Sequence, residues 1–286
     1  MKARAACFGA ATIVSALATG RGAAFGVRLR ADAEADLVPE SGGLAVEVEP
    51  KDAGPTLARA CVERIAGRLG KPVSGRVATR SSIPPSRGLK SSSTAANALV
   101  LAAAKSLGAT LNDLEAVNLG VDAALDAGVT ITGAFDDACA TYFGGVVITD
   151  NRQRTILRRD RLPGDLVAVL AIPAGKIEKT SLKGVDFSQI AGEVERAFAD
   201  ALAENYGPAI ERNSRAYCRV LGIDPAPAGR ARRAGALAAG LTGTGPAFFA
   251  LCHPTDALEV ARAMASESSE TRVVPLNATK APEVAS

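Results

Sequence analysis

The chain has 286 residues, of which 48% are hydrophobic and 22% charged, and its formal net charge is +3. This much apolar material is enough for one large or two smaller domains, which excludes a chain that is mainly disordered. The charges are nearly balanced and spread along the chain, which argues against a nucleic-acid binder. Glycine accounts for 28 residues, above the usual share of about 7%. We therefore expect function in loops lined by backbone.

Cysteine and histidine usage narrows the chemistry. The five cysteines are odd in number, widely spaced and without a CxxC pair, so neither a disulfide framework nor a zinc ribbon is indicated. The single histidine, His253, excludes most zinc hydrolase sites and favours a structural role for this side chain. These features are typical of a protein of the reducing cytoplasm.

The N-terminus has some features of a leader peptide, because Lys2 and Arg4 precede an apolar stretch that ends in small residues. That stretch is interrupted by Gly9, Thr12 and Ser15, and a strand with a glycine-rich turn follows it. We interpret it as the start of a sheet. No uninterrupted apolar run reaches the length of about 18 residues that a membrane span needs, so we expect no membrane partner.

The first half of the chain alternates between strand and helix patterns. Short apolar runs bounded by Gly, Ser and Pro predict strands at 12–17, 26–31, 44–48, 73–79 and 146–149. Apolar residues at helical spacing predict helices at 56–69, 91–107, 111–127 and 136–142. A further short strand is predicted after Gly128.

The second half begins with the polar stretch 150–165, which we interpret as a hairpin with a turn at Pro163-Gly164. The strands predicted beyond it are 166–172, 247–252 and 271–276. The helices predicted there are 189–203, 208–221 and 255–266. The last ten residues are expected to be a frayed tail.

The strongest local feature is the segment Ile83–Ala104, in which a loop with Pro and Gly turns into an Ala-rich helix. Four hydroxyl residues, Ser91, Ser92, Ser93 and Thr94, occupy the first helical turn. Free backbone N–H groups and the helix dipole would meet there, which is how proteins hold phosphate, and Lys90 adds a cation. A well-capped helix is the alternative, although one Ser would suffice for that. No window of the chain matches a Walker A loop.

A second glycine cluster spans 240–246, which we call the glycine loop. Its three glycines permit a ligand to approach the backbone closely, whereas a plain hairpin needs one or two. A third cluster at 19–26 is near the dinucleotide-binding fingerprint, but Phe25 occupies a small-residue position and a strand follows. We therefore exclude a Rossmann fold.

Two consecutive acids, Asp136 and Asp137, lie between Gly133 and the turn Gly144-Gly145. Neighbouring side chains point in different directions, so at most one of the two faces a given substrate. By themselves they are consistent with a helix start. Beside a phosphate-binding loop they become candidates for the base or the magnesium ligand of a phosphoryl transfer.

These three segments, in this order, resemble the GHMP superfamily of galactokinase, homoserine kinase, mevalonate kinase and phosphomevalonate kinase. The loop pattern of that superfamily, P-x-x-x-G-L-G-S-S-A, is matched by Pro84, Gly88, Leu89, Ser91 and Ser92. Lys90 stands where this pattern has its second Gly. The stretch GLKSSS, together with SALATGRGAAFG and GAFDDACATYFGG, is similar to the archaeal-type shikimate kinase branch. The resemblance spans nearly the whole chain.

The resemblance implies a two-domain α+β fold with the active site between an N-terminal domain, 1–155, and a C-terminal domain, 156–286. It implies that the ATP phosphates are held by Pro84, Pro85, Ser86, Arg87, Gly88, Leu89, Lys90, Ser91, Ser92, Ser93 and Thr94; we call residues 84–93 the phosphate loop. The glycine motif near the phosphates and substrate is matched by Thr242, Gly243, Thr244 and Gly245.

The resemblance also implies roles for single residues and a reaction. Asp136 matches the catalytic aspartate, and Ser92 the hydroxyl that contacts Mg²⁺. A further magnesium-binding acid is expected on the preceding helix, where Asp122 and Asp126 are the choices and Asp122 is the residue we select. The implied reaction transfers a phosphoryl group from ATP to the 3-hydroxyl of shikimate, in the synthesis of chorismate and aromatic amino acids. The shikimate carboxylate calls for an Arg or Lys, and we favour Arg233 or Arg21.

Several alternatives remain open at this stage. Lys90 either contacts phosphate or points to solvent. The acceptor is open within the superfamily, where homoserine kinase is the nearest alternative, because the loop and the glycine turns serve ATP. The alternative from a different functional class is a regulator that binds a nucleotide without catalysis. The partners expected are ATP and shikimate, and the sequence leaves monomer and homodimer equally possible.

Overall fold

The structure, a computed structural model, describes residues 1–177, 182, 184–267 and 269–284. Within these residues ten strands form two sheets. The strands are β1 (Ala3–Val14), β2 (Arg21–Val38), β3 (Leu44–Glu49), β4 (Ser74–Ser81), β5 (Val146–Asp150), β6 (Thr155–Asp160), β7 (Val167–Pro173), β8 (Ala238–Leu241), β9 (Phe248–Cys252) and β10 (Ser269–Pro275). The helices are α1 (Thr56–Leu69), α2 (Ser91–Ser106), α3 (Asp113–Asp126), α4 (Phe135–Phe143), α5 (Ala191–Leu202), α6 (Tyr206–Leu221), α7 (Ala226–Arg233) and α8 (Ala257–Met264).

The first sheet is built around β2, which pairs with β1 along one edge and with both β4 and β5 along the other. Its order is β3-β4-β2-β5-β6, and every pair is antiparallel except β3 with β4. The second sheet has the order β10-β7-β9-β8 and is antiparallel throughout. The chain therefore changes from the first sheet to the second between β6 and β7. We place the boundary of the two predicted domains there, slightly beyond residue 155.

The long hairpin of β1 and β2 follows from a two-residue alternation in the sequence. In β2 the residues from Leu29 to Leu37 are alternately buried and exposed, with alanines inside and charged side chains outside. The strands predicted at 12–17 and 26–31 are therefore too short, and residues 15–17 lie beyond the end of β1. Alanine is depleted in strands generally, so its abundance here hides the strand signal.

Two buried clusters hold the molecule together. One lies between the first sheet and helices α1–α4 and includes Leu37 of β2 with Cys61, Leu99 and Val117 of the helices. The other joins the end of the β1–β2 hairpin to the second sheet and to α5 and α6. Phe25 of β2 meets Phe249 of β9 there, edge to face, with ring centroids 5.1 Å apart. Strands of both sheets therefore contribute to this second cluster.

Two further expectations differ from the structure, and two elements were not predicted. The hairpin turn of the polar stretch lies between β5 and β6, not at Pro163-Gly164, because β6 returns along β5. Residues 129–134 form a loop where a short strand was predicted. Helix α7 and strand β8 were not predicted, since α7 is rich in arginine and β8 is only four residues long.

The C-terminal tail is not frayed over the residues that the structure describes there. Asn277 is buried and exchanges backbone hydrogen bonds with the first sheet, donating its N–H to Gly26 O and accepting from Gly145 N. Ala281 is also buried, and Lys280 pairs with Asp113. The short polar sequence of the tail did not indicate these contacts, because the partner residues are far away in the chain.

All five cysteines are buried and unpaired. Burial raises the pKa of each of these thiols, which are Cys7, Cys61, Cys139, Cys218 and Cys252. Among the helices that the structure describes, none has the length and apolar character needed to cross a bilayer.

Candidate active site

A cavity of about 410 Å³ brings together segments from both halves of the chain. Its wall includes Ser86–Ser93 in part, Asp136 and Asp137 of α4, and Gly243–Gly245. The turn after β1, Ser15–Leu17, and the segment from Gly128 to Thr132 complete other parts of it. The volume lies within the range typical of small-molecule sites, about 300–1,000 Å³.

Helix α2 begins at this cavity without a side-chain cap. Its N-cap residue is Lys90, and no side chain accepts a hydrogen bond from the first turn. Ser91, Ser92 and Ser93 line the cavity, while the hydroxyl of Thr94 donates back to the carbonyl of Lys90 at 2.8 Å. The hydroxyl cluster is therefore not used for capping. The backbone donors of the first turn and the positive end of the helix dipole remain directed at the cavity.

The glycine loop fastens the phosphate loop to β1. The hydroxyl of Thr242 donates to the carbonyl of Gly88 at 2.8 Å and accepts from the N–H of Thr12 at 3.2 Å. The N–H of Gly243 donates to the Thr12 hydroxyl at 2.8 Å. Gly88 has φ +79°, and a Cβ there would lie 2.0 Å from Thr242 O. Only glycine satisfies both conditions, so the glycine at this position is required by the contact.

Asp136 is a buried carboxylate clamped by one side chain. Asn151, just after β5, donates from Nδ2 to Asp136 Oδ1 at 2.7 Å and accepts from the Asp136 N–H at 3.1 Å. The hydroxyl of Thr149 donates to Asn151 Oδ1 at 2.7 Å, which fixes the orientation of the amide. Burial, and next the neighbouring charge of Asp137, raise the pKa of Asp136 to about 7. A carboxyl with such a pKa can take up a proton near neutral pH.

Lys90 points into the cavity and not to solvent. Its side chain is 6% exposed, and its Nζ lies 2.7 Å from Oδ1 of Asp137. A Cβ added to Gly243 would lie 3.3 Å from the same Nζ. The ammonium therefore sits between the first turn of α4 and the glycine loop. Its charge favours the ionised form of Asp136 and so lowers the pKa of that carboxyl, against the larger effect of burial.

Comparison with known proteins gives the family. The model for the GHMP kinases N terminal domain matches residues 56–145, and the model for the GHMP kinases C terminal domain matches 229–270. A protein of Methanothrix thermoacetophila named shikimate kinase is 42% identical over 93% of this chain and 91% of its own length. One of Pyrococcus abyssi with the same name is 42% identical over 87% of this chain and 92% of its own. The chain belongs to the GHMP kinase family.

Solved structures of GHMP kinases share the fold. Galactokinase of Lactococcus lactis, complexed with galactose, superimposes with a TM-score of 0.76 over 97% of this chain and 94% of its own, at 12% identity. Mevalonate kinase of Methanococcus jannaschii does so with a TM-score of 0.73 over 97% and 98%, at 15% identity. The two-domain α+β fold of this family, which the resemblance implied, is confirmed.

Four members of the predicted ATP-binding set do not line the cavity. Leu89 and Thr94 are buried in the core, and Pro84 lies outside the wall. Arg87 points away and holds backbone instead: its guanidinium donates to the carbonyls of Pro85, Pro173 and Ala174. In this GHMP kinase Arg87 thus ties the phosphate loop to the end of β7.

The two acids considered as possible magnesium ligands lie outside the cavity. Asp122 pairs with Arg154 at 2.7 Å, and Asp126 with Arg64 at 2.5 Å, so neither reaches the cavity. These acids lie on the surface of α3 among arginines of neighbouring elements, and we correct the choice of Asp122 as a magnesium ligand.

Neither arginine chosen for the acceptor carboxylate lines the cavity. Arg21 pairs with Glu195 and lies over the Phe198 ring. Arg233 is the last residue of α7 and does not line the cavity. Among the described residues that line the cavity, Lys90 is the one cationic side chain.

Sequence reasoning missed two residues that hold one part of the cavity wall, the turn after β1, in place. Asn213 Oδ1 of α6 accepts from Ser15 N at 2.9 Å, and Tyr217 OH accepts from Ala18 N and donates to Ser15 O. These bonds hold the turn after β1 against the second half of the chain. The only available signal was a pair of polar residues, Asn213 and Tyr217, on the apolar face of α6.

A larger cavity of about 630 Å³ lies elsewhere, between the C-terminal tail and the segment from Arg161 to Val167. It contains none of the residues that the family resemblance selects. We assign the active site to the smaller cavity, because the uncapped helix, the carboxylates and the glycine loop converge there.

Proposed function

We propose that this GHMP kinase transfers the γ-phosphoryl group of ATP to the 3-hydroxyl of shikimate. The observation that carries the proposal is the uncapped N-terminus of α2 in one cavity with the buried carboxylate of Asp136. A phosphate cradle and a base in one enclosed site are what a phosphoryl transfer to an alcohol requires. The archaeal relatives named shikimate kinase, at about 40% identity, support this choice of acceptor.

In the proposed mechanism the triphosphate lies against the first turn of α2, with its charge opposite the helix dipole. The acceptor oxygen attacks the γ-phosphorus, a new P–O bond forms, and the bond to the β-phosphate bridging oxygen breaks to release ADP. Asp136 accepts the proton of the attacking hydroxyl, or orients that hydroxyl for attack on the γ-phosphorus. Asn151 holds Asp136 so that Oδ2 remains available, since Oδ1 already accepts its bond.

The donor set fits a magnesium ion that arrives with the nucleotide. Among the described residues no group of three or more acidic, His or Cys side chains could hold a metal on its own. The described wall carries Glu49, Asp52, Asp136 and Asp137 against Lys90, so it cannot neutralise a triphosphate. Mg²⁺ is commonly held by one or two protein oxygens together with phosphates. Ser92 would supply such an oxygen, and the ion would neutralise phosphate charge.

The first test is the acceptor preference of the purified chain. We expect Mg-ATP to yield ADP with shikimate, and mass measurement to find shikimate carrying one added phosphoryl group. Homoserine, mevalonate and a reaction without acceptor are the comparison arms. Turnover with a different acceptor would refute shikimate as the substrate. Nucleotide binding without turnover on any acceptor would favour the non-catalytic regulator.

The second test concerns the base. Asp136→Asn keeps the shape and the bond to Asn151 but cannot accept a proton, so we expect kcat to fall by at least about 100-fold, the lower range for general base catalysis. Binding of Mg-ATP, measured by calorimetry, should change little. Unchanged turnover in this variant would refute the role of Asp136.

We also propose the cytoplasm as its location. Five free thiols are stable in a reducing compartment.

A further inference from the structure

Lys90 occupies a backbone position that disfavours every residue except glycine. Its φ and ψ are +63° and +29°, in the left-handed region, at the N-cap of α2. A residue with a Cβ pays roughly 1–2 kcal/mol there, and glycine avoids that cost. Residues held at such positions cluster at active sites and ligand-binding segments. Lys90 combines a positive φ with a place in the cavity wall, and this combination indicates a function for its side chain.

The position of Lys90 at a helix N-terminus is also electrostatically unfavourable for a cation. A cation at the N-terminus of a helix faces the positive end of the helix dipole, which is unfavourable. The ammonium is nearly buried, and burial of a charge costs energy unless it is paired. Its ion-pair partner among the described residues is Asp137. The ammonium thus places a positive charge beside the uncapped N-terminus of α2, which is itself the kind of place where proteins bind phosphate.

We propose that Lys90 is a catalytic residue that binds the transferred phosphoryl group, and that Asp137 is the positioning residue that holds its ammonium there. The proposal rests on the proposed function, because it assigns a role within the same reaction. In this role Lys90 donates hydrogen bonds to the γ-phosphoryl oxygens and exchanges no proton or electron with them. Its position beside both Asp136 and the glycine loop puts it where the acceptor and the γ-phosphate meet.

Asp137 has the geometry for positioning and not for proton transfer. Its carboxylate faces Lys90 at 2.7 Å, whereas Asp136 is clamped by Asn151 and lies against Gly22. The two consecutive acids at the start of α4 thus point to different partners. Asp137 draws the ammonium away from the helix N-terminus, toward the side of the cavity where Asp136 lies.

Lys90→Gly separates catalysis from folding. It removes the ammonium and the left-handed strain together, so we expect thermal stability equal to or above that of the wild type. We expect kcat to fall by about 100-fold, as for the loss of one donor to a transition state. Glu204→Gly is the matched control, because Glu204 also has a positive φ, +65°, and lies on the surface away from the cavity. That control should keep kcat within about twofold.

Binding without acceptor provides a readout that does not depend on shikimate. A contact with the γ-phosphate predicts that Lys90→Gly weakens Mg-ATP binding roughly 10-fold, the effect of losing a charged hydrogen bond, and leaves Mg-ADP binding within about twofold. Equal losses for both nucleotides would refute the contact with the γ-phosphate. If the wild type fails on every acceptor while this difference holds, the proposed substrate fails and the role of Lys90 in binding stands.

Two further variants test the pair. Lys90→Arg keeps the charge and should retain more kcat than Lys90→Met, which retains only the side-chain volume. Asp137→Asn should lower kcat by about 10-fold, with the KM for ATP nearly unchanged, since the ammonium is present but less well placed. A kcat for Lys90→Gly or Lys90→Met within about threefold of wild type would overturn the proposal. Loss as large for Lys90→Arg as for Lys90→Met would also overturn it.

Discussion

Gly22 and Asn151 flank the carboxylate of Asp136 from neighbouring strands. Gly22 belongs to β2 and pairs with Thr149 of β5, while Asn151 follows the end of β5. A Cβ on Gly22 would lie 2.4 Å from Asp136 Oδ2, and Asn151 binds Oδ1. The carboxylate is therefore fixed on both sides, by the lack of a side chain on one and by an amide on the other.

Gly22→Ala should displace the carboxylate of Asp136, the proposed base, without unfolding the protein. The added methyl group overlaps Oδ2, and a misplacement of about 1 Å can cost on the order of 100-fold in rate. We expect a loss of kcat between about 10-fold and 100-fold, measured by ADP release. Gly43→Ala is the matched control, because a Cβ there meets nothing within 4 Å. Full activity of Gly22→Ala would mean that Asp136 can move without cost.

Asn151→Ala should shift the pH profile of the reaction. The hydrogen bond from Asn151 favours the ionised carboxylate and lowers the pKa of Asp136, so its removal raises that pKa. The base is active when ionised, and kcat/KM should rise with pH through about 7 in the wild type and only at higher pH in the variant. Asn118→Ala, whose amide accepts from Arg154 outside the cavity, should leave the profile unchanged. A shift toward lower pH would contradict this assignment.

The contrast between Asp136 and its two neighbours shows what the sequence could predict at this scale. Asp136 could be selected as a candidate because it lies in a contiguous segment between glycine turns, which the family resemblance covers, and the structure places it in the cavity wall. Gly22 and Asn151 contact it through the pairing of β2 with β5. No local pattern records that register, so these two residues could not be predicted.

Among the elements, α2 depends on the loop before it and on a contact with the second sheet. Arg87 spans the gap by donating to carbonyls at the end of β7, with Nε 2.8 Å from Pro173 O. The hydroxyl of Thr242 in the glycine loop also donates to the carbonyl of Gly88 in the phosphate loop. The cradle for phosphate is thus held from both halves of the chain.

Arg87→Ala should loosen the phosphate loop. The variant loses several charged hydrogen bonds to backbone, each of which contributes about 1.5–3 kcal/mol, and part of that loss will appear as reduced preorganisation for the nucleotide. We expect the KM for ATP to rise by about 10-fold, in steady-state assays with saturating acceptor. Arg4→Ala is the control, since Arg4 pairs with Glu34 on the surface of the first sheet. An unchanged KM for ATP would show that Arg87 does not hold the loop.

The elements themselves were predictable to different degrees. Helices α1 and α2 lie within one residue of their predicted bounds, because glycines follow a clear helical pattern in both cases. The hairpin of β1 and β2 was underestimated, and β8 and α7 were missed. Their formation depends on burial against distant partners, such as β9 for β8, which outweighs weak local propensity.

At the scale of the whole molecule, we expect the two sheets to unfold together, because strands of both contribute to one buried cluster. Phe25 and Phe249 are both fully buried at the junction. The N-terminal turn after β1 is also bonded to α6, across the same junction. The composition indicated enough apolar residues for two domains. It did not indicate that one buried cluster would include strands of both sheets.

Phe249→Ala should destabilise the entire chain in one transition. Truncating a buried phenylalanine costs about 3–5 kcal/mol, and the lost contacts belong to both sheets. Calorimetry should find one transition at lower temperature, not one shifted and one unshifted. Leu258→Ala removes a side chain that is 68% exposed and should change stability by less than about 0.5 kcal/mol. Two separate transitions in Phe249→Ala would show that the halves are independent.

The five buried cysteines make the folded protein slow to react with alkylating reagents, because a thiol must be both ionised and accessible to react. Cys61 of α1 and Cys139 of α4 belong to the buried cluster between the first sheet and its covering helices, whereas Cys252 lies in β9 of the second sheet. Alkylation of each thiol therefore reports how often its own half opens to solvent. A time course followed by mass spectrometry would distinguish local opening of one half from global opening, in the natural sequence and without any introduced label.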